Sequence, residues 1–207
     1  MSLILQGILL GLTLAILLGP IFVTITQLSI KKGARAGMVA SSGVWISDFI
    51  IITLCFFFVQ KINTIVQDVT FTYWMGLLGG FILIVFGLGA FLRESTIQFD
   101  QTKHSTNDYI GFWTKGFLVN TVNPFTFVFW IGVISTYVIK EKITNTEAII
   151  FFTTIMSVIM MSDIAKVLLA KMIRKKLRQE HFNIFTKIAG LGLIIFGIVL
   201  LTKSHVF

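Results

Sequence analysis

Two aspartates and one lysine stand where the sequence is otherwise suited to hydrocarbon. Asp48 lies in "WISDFIII" and Asp163 in "MMSDIAKVL", each near the middle of an apolar run, with Lys166 three residues beyond the second. A charge at the centre of a membrane helix costs about 2.5 to 3.5 kcal/mol on insertion scales, so these side chains must face the protein interior or a wetted cavity. Lys166 falls on the same helical face as Asp163, and an ion pair between them lessens the cost of both charges. Such a pair serves equally well as a pin between helices or as a working part of an ion pathway. Asp48 has no cation in its own run. Its counter-charge must come from a proton, an ion, a substrate amine or Lys166 across the bundle. The candidate ion-coupling residues are therefore Asp48, Asp163 and Lys166.

The chain has two prolines, and both interrupt apolar runs: Pro20 in "LLGPIFV" and Pro124 in "TVNPFTFVFW". Proline lacks an amide hydrogen and crowds the carbonyl four residues earlier, so Pro20 weakens a helix at Ile16 and Pro124 does so at Asn120. In hydrocarbon such a break survives only where protein, water or a ligand satisfies the freed groups. Past each break a half-helix begins with free N–H groups and a partial positive charge, which suit a carboxylate, while the freed carbonyls suit an ammonium or a cation. An amino acid carries both groups. A packing kink is the simpler reading of one proline, but recurrence at matching positions favours a binding role. The candidate substrate-binding residues are Gly19, Pro20, Asn120, Asn123 and Pro124. Asn120 and Asn123 share a face beside the second break, and their amides both donate and accept. Thr24, Thr26 and Gln27, after the first break, read as interhelical glue.

Elements able to hold these residues are easily found. Of 207 residues, 56% are hydrophobic and 13% charged, and the mean hydropathy is +0.91, more apolar than one soluble core of this size can hide. Six runs approach or exceed the 20 or so residues that a spanning helix needs: Leu3 to Ile30, Ala36 to Val59, Thr70 to Leu92, Phe112 to Ile139, Ala148 to Met172 and Ile184 to Thr202. This predicts an all-α membrane protein with six transmembrane helices. The first run opens without a charge and stays apolar too long for a cleaved signal peptide, so it is expected to be the first span. The polar stretch from Arg93 to Ile110 is too short to fold alone. Residues 1–207 thus read as a single transmembrane domain.

The domain repeats itself. "LLGPIFV" matches "TVNPFTFVFW", "WISDFIII" matches "MMSDIAKVL" and "GGFILIVFG" matches "AGLGLIIFG", with shifts of 104, 115 and 110 residues. These matches pair Pro20 with Pro124, Asp48 with Asp163 and Gly87 with Gly197. Repeat one covers 1–92 and repeat two 111–207, joined by the loop 93–110. With an odd number of spans each and no helix between them, the units enter the membrane from opposite sides. Inverted repeats of this kind place two matching elements at one depth, where secondary transporters build a midplane site.

Charge sets the orientation. Twelve of the 17 lysines and arginines fall in loops one, three and five: Lys31, Lys32, Arg35; Arg93, Lys103, Lys115; Lys171, Arg174, Lys175, Lys176, Arg178 and Lys187. Lys61, Lys140, Lys142 and Lys203 lie on the other side. By the positive-inside rule those three loops are cytoplasmic and both termini lie outside a plasma (inner) membrane. The net charge of +8 is therefore an orientation signal, with "KMIRKKLRQ" touching anionic headgroups of the lipid bilayer, and no nucleic acid partner is expected. The lone Cys55 excludes an internal disulfide and a dithiol relay. His104, His181 and His205 are scattered without metal-ligand spacing, and no nucleotide-binding lysine motif appears. No cofactor, metal or enzymatic site is expected, since nothing pairs a nucleophile with a base. The spacings Gly7 with Gly11 and Gly76 with Gly80 read as close helix packing, and Trp74, Trp113 and Tyr109 as interfacial anchors.

Taken along its whole length, the sequence resembles the LysE/RhtB amino-acid exporters. The likeness rests on the Gly-Pro of the first run, "SIKKGARAG" in the first cytoplasmic loop, the aspartate in the second span and above all "GFLVNTVNPFTFVFW" in the fourth. The family commonly has Pro-Gly-Pro, Gly-Asp and a lysine after Asn-Pro, where this chain has Leu18-Gly19-Pro20, Ser47-Asp48 and Phe125, which leaves the substrate open. The resemblance implies export of an amino acid or similar small molecule, coupled to inward proton or sodium movement. Rival readings are a carrier or channel for another small solute or inorganic ion, and a non-transporting membrane scaffold with Asp48 and both prolines in dry contacts. Homo-oligomerisation is left open.

Overall fold

The computed structural model describes residues 2–16, 19–58, 69–92, 105–173 and 179–204. Several residues weighed above lie outside these: Leu18, Lys61, Arg93, Lys103, His104, Arg174, Lys175, Lys176, Arg178 and His205, as do the side chains of Pro124, His181 and Lys203. Among the described residues the chain is helical with short connections and no strand. Helix α1 is Leu3–Ile16, α2 Pro20–Lys32, α3 Ala34–Phe57, α4 Val69–Leu92, α5 Thr106–Thr121 and α6 Pro124–Ile134. A wider π-helical segment, Ser135–Lys140, follows α6, then α7 at Asn145–Ile173 and α8 at Gln179–Ser204.

Over its described residues each predicted apolar run is mainly helical, and the prolines divide two of them. Proline at the first position of a helix loses nothing, since its missing N–H has no partner there in any case. Accordingly α2 starts at Pro20 and α6 at Pro124. The chain bends by 66° between Leu3–Ala15 and Pro20–Lys31, and by 60° between Thr106–Thr121 and Phe125–Lys140. By length and composition Ala34–Phe57 and Asn145–Ile173 can cross a membrane, and each bent pair passes the same test when taken together. Gly76–Leu92 and Thr186–Val199 are shorter apolar helical stretches within α4 and α8.

Two boundaries differ from the hydrophobic pattern. The loop expected to reach Ile110 ends at Ser105, because Ser105 and Asp108 form a capping box that starts α5 in polar sequence. Ser105 Oγ accepts from the Asp108 amide at 3.3 Å, and Asp108 Oδ2 accepts from the Ser105 amide at 2.8 Å, satisfying two otherwise orphaned donors. Thr144 and Glu147 repeat the arrangement before α7. Between α2 and α3 the backbone turns at Gly33, with φ 96° and ψ 166°, a conformation open to glycine and hostile to other residues.

Packing is organised around α3, which contacts α2, α5, α6 and α7, while α1 lies along α7 and α4 packs on α8. Glycines set the closest approaches. Gly7 and Gly11 both face α7, against Thr154 and Val158, as their spacing predicts. In α4 the seam uses Gly80, as expected, together with Gly87, seven residues further on. A methyl group on Gly80 or Gly197 would come within 2.7 Å of the other's carbonyl, and the same holds for Gly87 and Gly190. The low number of one helix meets the high number of the other, so α4 and α8 are antiparallel. A dense cluster around Trp130, Phe151 and Ile155 fills the space between α3, α6 and α7. Outward faces are apolar too: Phe49, Phe81, Leu92 and Met161 are all more than 60% exposed, as expected where the surrounding medium is lipid.

The glycine seam generates a test. Gly197→Ala should destabilise the protein by about 1 to 3 kcal/mol, the usual range for overpacking. Gly89→Ala, where an added methyl meets nothing within 4 Å, should be neutral or stabilising by up to about 1 kcal/mol through helix propensity. Thermal unfolding in detergent measures both, and equal effects would contradict the seam.

Candidate functional site

Asp48 sits on α3 at 5% exposure, and two donors converge on one of its oxygens. Asn120 Nδ2, from the last turn of α5, donates to Asp48 Oδ1 at 2.9 Å, and Trp130 Nε1, from α6, donates to the same oxygen at 2.9 Å. Asn120 uses its second amide hydrogen on the Val44 carbonyl at 3.3 Å. Its Oδ1 accepts from Thr126 Oγ1 at 2.9 Å, which fixes which way the amide faces. Asn120 is itself fully buried, so each of these bonds stands in for water that cannot reach it. The other oxygen, Asp48 Oδ2, takes no hydrogen bond among the described residues.

Asp163, the sequence equivalent on α7, is treated differently. Lys166 Nζ donates to its Oδ1 at 2.9 Å and Trp45 Nε1, from α3, to its Oδ2 at 3.0 Å, so both oxygens are occupied. The ion pair expected from the three-residue spacing is present, and Lys166 does not reach across to Asp48. Its ammonium also lies 5.6 Å from the centroid of the Phe22 ring, a cation–π distance.

The two breaks are likewise unequal. At α6 the Asn123 side chain accepts from the Phe125 amide at 3.2 Å, capping the helix that Pro124 opens. At α2 the preceding residue is Gly19, which has no side chain to cap with, and an added methyl there would meet nothing within 4 Å. Of the two helix starts, that of α2 is left open by its own capping position.

These pieces surround one cavity of about 610 Å³, lined among others by Gly19, Pro20, Asp48, Asn120, Asn123, Asp163 and Lys166. Seven of the eight residues singled out in the sequence therefore meet at one place, the side chain of Pro124 lying outside the described residues. Thr24, Thr26 and Gln27 do not line it; Thr24 and Thr26 are buried, but Thr26 Oγ1 finds no hydrogen-bond partner among the described residues. Sequence reasoning missed Trp45, Trp130 and Thr126, the donors that orient the carboxylates and Asn120. A tryptophan deep in an apolar run needs a partner for its N–H, and that requirement was the available signal. Also missed was the apolar lining by Leu83, Phe125, Phe129, Leu193 and Phe196.

A cavity that gathers buried polar and charged side chains beside two broken helices is an arrangement for holding a small solute within a membrane domain. The model of the LysE type translocator family matches residues 12–204. The chain belongs to the LysE-type translocators. As a translocator of this family it is a multi-pass membrane transporter. It is also similar to the "Putative amino acid efflux protein YcgF" of Bacillus subtilis (strain 168), 25% identical over 199 residues that cover 95% of this chain and 94% of the relative. No solved structure matches it.

The Asp163–Lys166 pair of this translocator can be tested for whether it pins or works. Lys166→Met leaves a buried carboxylate with one neutral donor and should cost about 3 to 5 kcal/mol, read as a lowered melting temperature in detergent. The double variant Asp163→Asn with Lys166→Met should recover most of that loss. Normal transport by the double variant makes the pair structural; its absence in a well-folded sample makes the pair functional.

Proposed function

We propose that this translocator is a secondary exporter that moves an amino acid or related small zwitterion outward across the plasma membrane, driven by inward movement of a proton or cation. The observation that carries the reading is the convergence of Asp48, Asn120 and the open start of α2 at Gly19-Pro20 on a single cavity. There the substrate ammonium is held by Asp48 Oδ2, and its carboxylate by the α2 N-terminus. Asp48 takes up and releases the coupling proton or cation; Asp163 and Lys166 separate and re-form as access alternates. Similarity to a relative named for amino acid efflux supports the substrate class. A dry scaffold, the rival reading, has no use for a cavity of this size beside a half-satisfied carboxylate.

In this proposal the single domain 1–207 consists of two inverted three-helix repeats, 1–92 and 111–207, with both termini outside. The packing supports it. A shift of 110 residues carries Gly80 onto Gly190 and Gly87 onto Gly197, so the contact Gly80–Gly197 is the image of Gly190–Gly87.

Purified protein in proteoliposomes tests the reading. Counterflow of labelled amino acids is expected, and inorganic ions should not substitute for them. Asp48→Asn keeps an oxygen that can accept from Asn120 and Trp130 but cannot titrate, so the fold should persist. Gradient-driven efflux should then fall by about a hundredfold, the equivalent of roughly 3 kcal/mol for one lost ionic interaction. Undiminished coupled efflux by a folded Asp48→Asn protein would overturn the assignment of Asp48.

A further inference from the structure

We propose that the cavity selects amino acids with large, uncharged, apolar side chains. The inference rests on the exporter reading above and goes further by counting charges. Three ionisable groups line the cavity: Asp48, Asp163 and Lys166. Asp163 is occupied on both oxygens, by Lys166 and by Trp45, so that pair is neutral as a unit. Asp48 keeps one open oxygen. One open acceptor suits one ammonium, and the uncapped start of α2 suits one carboxylate while the Asp163–Lys166 pair stays closed. With those two sites taken by the backbone of an amino acid, no charged group remains for its side chain. A lysine, arginine or glutamate side chain would enter a desolvated space without a partner, which is strongly unfavourable.

The lining is also divided by element. Polar side chains come from elsewhere in the lining: Thr13 on α1, Asp48 on α3, Asn120 on α5, Asn123 and Thr126 at the second break, and Asp163 and Lys166 on α7. The residues from α4 and α8 are Leu83, Gly192, Leu193 and Phe196, without a single polar side chain. Phe125 joins them, its ring edge-on to Phe196 with centroids 5.2 Å apart at 76°. A side chain directed toward α4 and α8 thus meets aliphatic and aromatic surface only. The volume of about 610 Å³ lies within the range of small-ligand pockets, about 300 to 1,000 Å³, and gives a bulky side chain room.

Gly192 supplies the variant. It lines the cavity, and a methyl added there meets nothing within 4 Å, so Gly192→Leu should fold while narrowing the apolar part of the site. The experiment is counterflow in proteoliposomes with labelled leucine, methionine, phenylalanine, alanine, threonine, lysine and glutamate. Leucine, methionine and phenylalanine should exchange at least about tenfold faster than the other four, the discrimination typical of one or a few apolar groups in a fitted pocket. In Gly192→Leu, phenylalanine and leucine exchange should fall by about tenfold while alanine changes by less than about twofold. If lysine, glutamate, threonine or alanine exchanges as fast as leucine, the selectivity is wrong although amino-acid transport stands. An equal loss for every substrate in Gly192→Leu also overturns it, since the glycine would not then bound a side-chain site. If no amino acid exchanges through monodisperse, folded protein, the exporter reading itself fails.

Discussion

The bond from Asn120 to Asp48 ties together the two features that a membrane helix tolerates least, a carboxylate and a break. In a straight helix Asn120 and Trp130 would stand about 15 Å apart along the axis and on different faces, unable to reach one oxygen. The 60° bend at Asn123-Pro124 folds the second half-helix back so that both donate to Asp48 Oδ1 at 2.9 Å. Thr126, in the first turn after the break, then holds the Asn120 amide in the donating orientation. The carboxylate depends on the broken helix for its donors. The broken helix, in turn, gains at Asp48 a polar anchor on α3 for both of its halves.

The same logic links the sequence halves. Trp130, from the second half, donates to the aspartate of the first, and Trp45, from the first half, donates to the aspartate of the second. Each buried carboxylate is thus solvated by an indole belonging to the other half, and hydrogen bonds to charged groups are among the stronger ones available, about 1.5 to 3 kcal/mol each. Ser47 adds a smaller tie. Because Thr121 Oγ1 donates to the Phe117 carbonyl at 2.8 Å, the 2.7 Å contact between the two hydroxyls has Ser47 as donor. The polar side of the cavity is therefore braced by bonds that cross between α3, α5, α6 and α7.

What could be read from the sequence was whatever violates the expectations of hydrocarbon. Asp48, Asp163, Lys166 and the two prolines stand out against apolar neighbours, and the cavity collects the three charges and Pro20 because each must avoid lipid for the same reason. Their partners were illegible. Nothing in a run such as "NPFTFVFW" says which of its rings turns inward, and among 21 phenylalanines the four that line the cavity carry no mark. The start of α5 was obscured for the opposite reason: Ser105 and Asp108 build a helix terminus from polar residues, which a search for apolar runs passes over. The α4–α8 seam was legible only in part: Gly80 was marked by its four-residue spacing, but Gly87, two helical turns on, was not.

The cavity has walls of two kinds, and they resist movement unequally. Helices α3, α5, α6 and α7 are cross-tied through Asp48, Asn120 and Asp163, so separating them strands buried polar groups at a cost of about 1 to 3 kcal/mol each. Helices α4 and α8 pack backbone to backbone along two reciprocal glycine contacts, which leave little freedom between the pair. Their contribution to the cavity is Leu83, Gly192, Leu193 and Phe196, and Phe125 on α6 meets Phe196 ring to ring. Apolar contacts are non-directional, so that boundary can slide without orphaning a donor or an acceptor. A change in cavity width is therefore least costly as a displacement of the α4–α8 pair against the polar frame. The buried carboxylates would then keep their donors while the apolar surface facing them shifts.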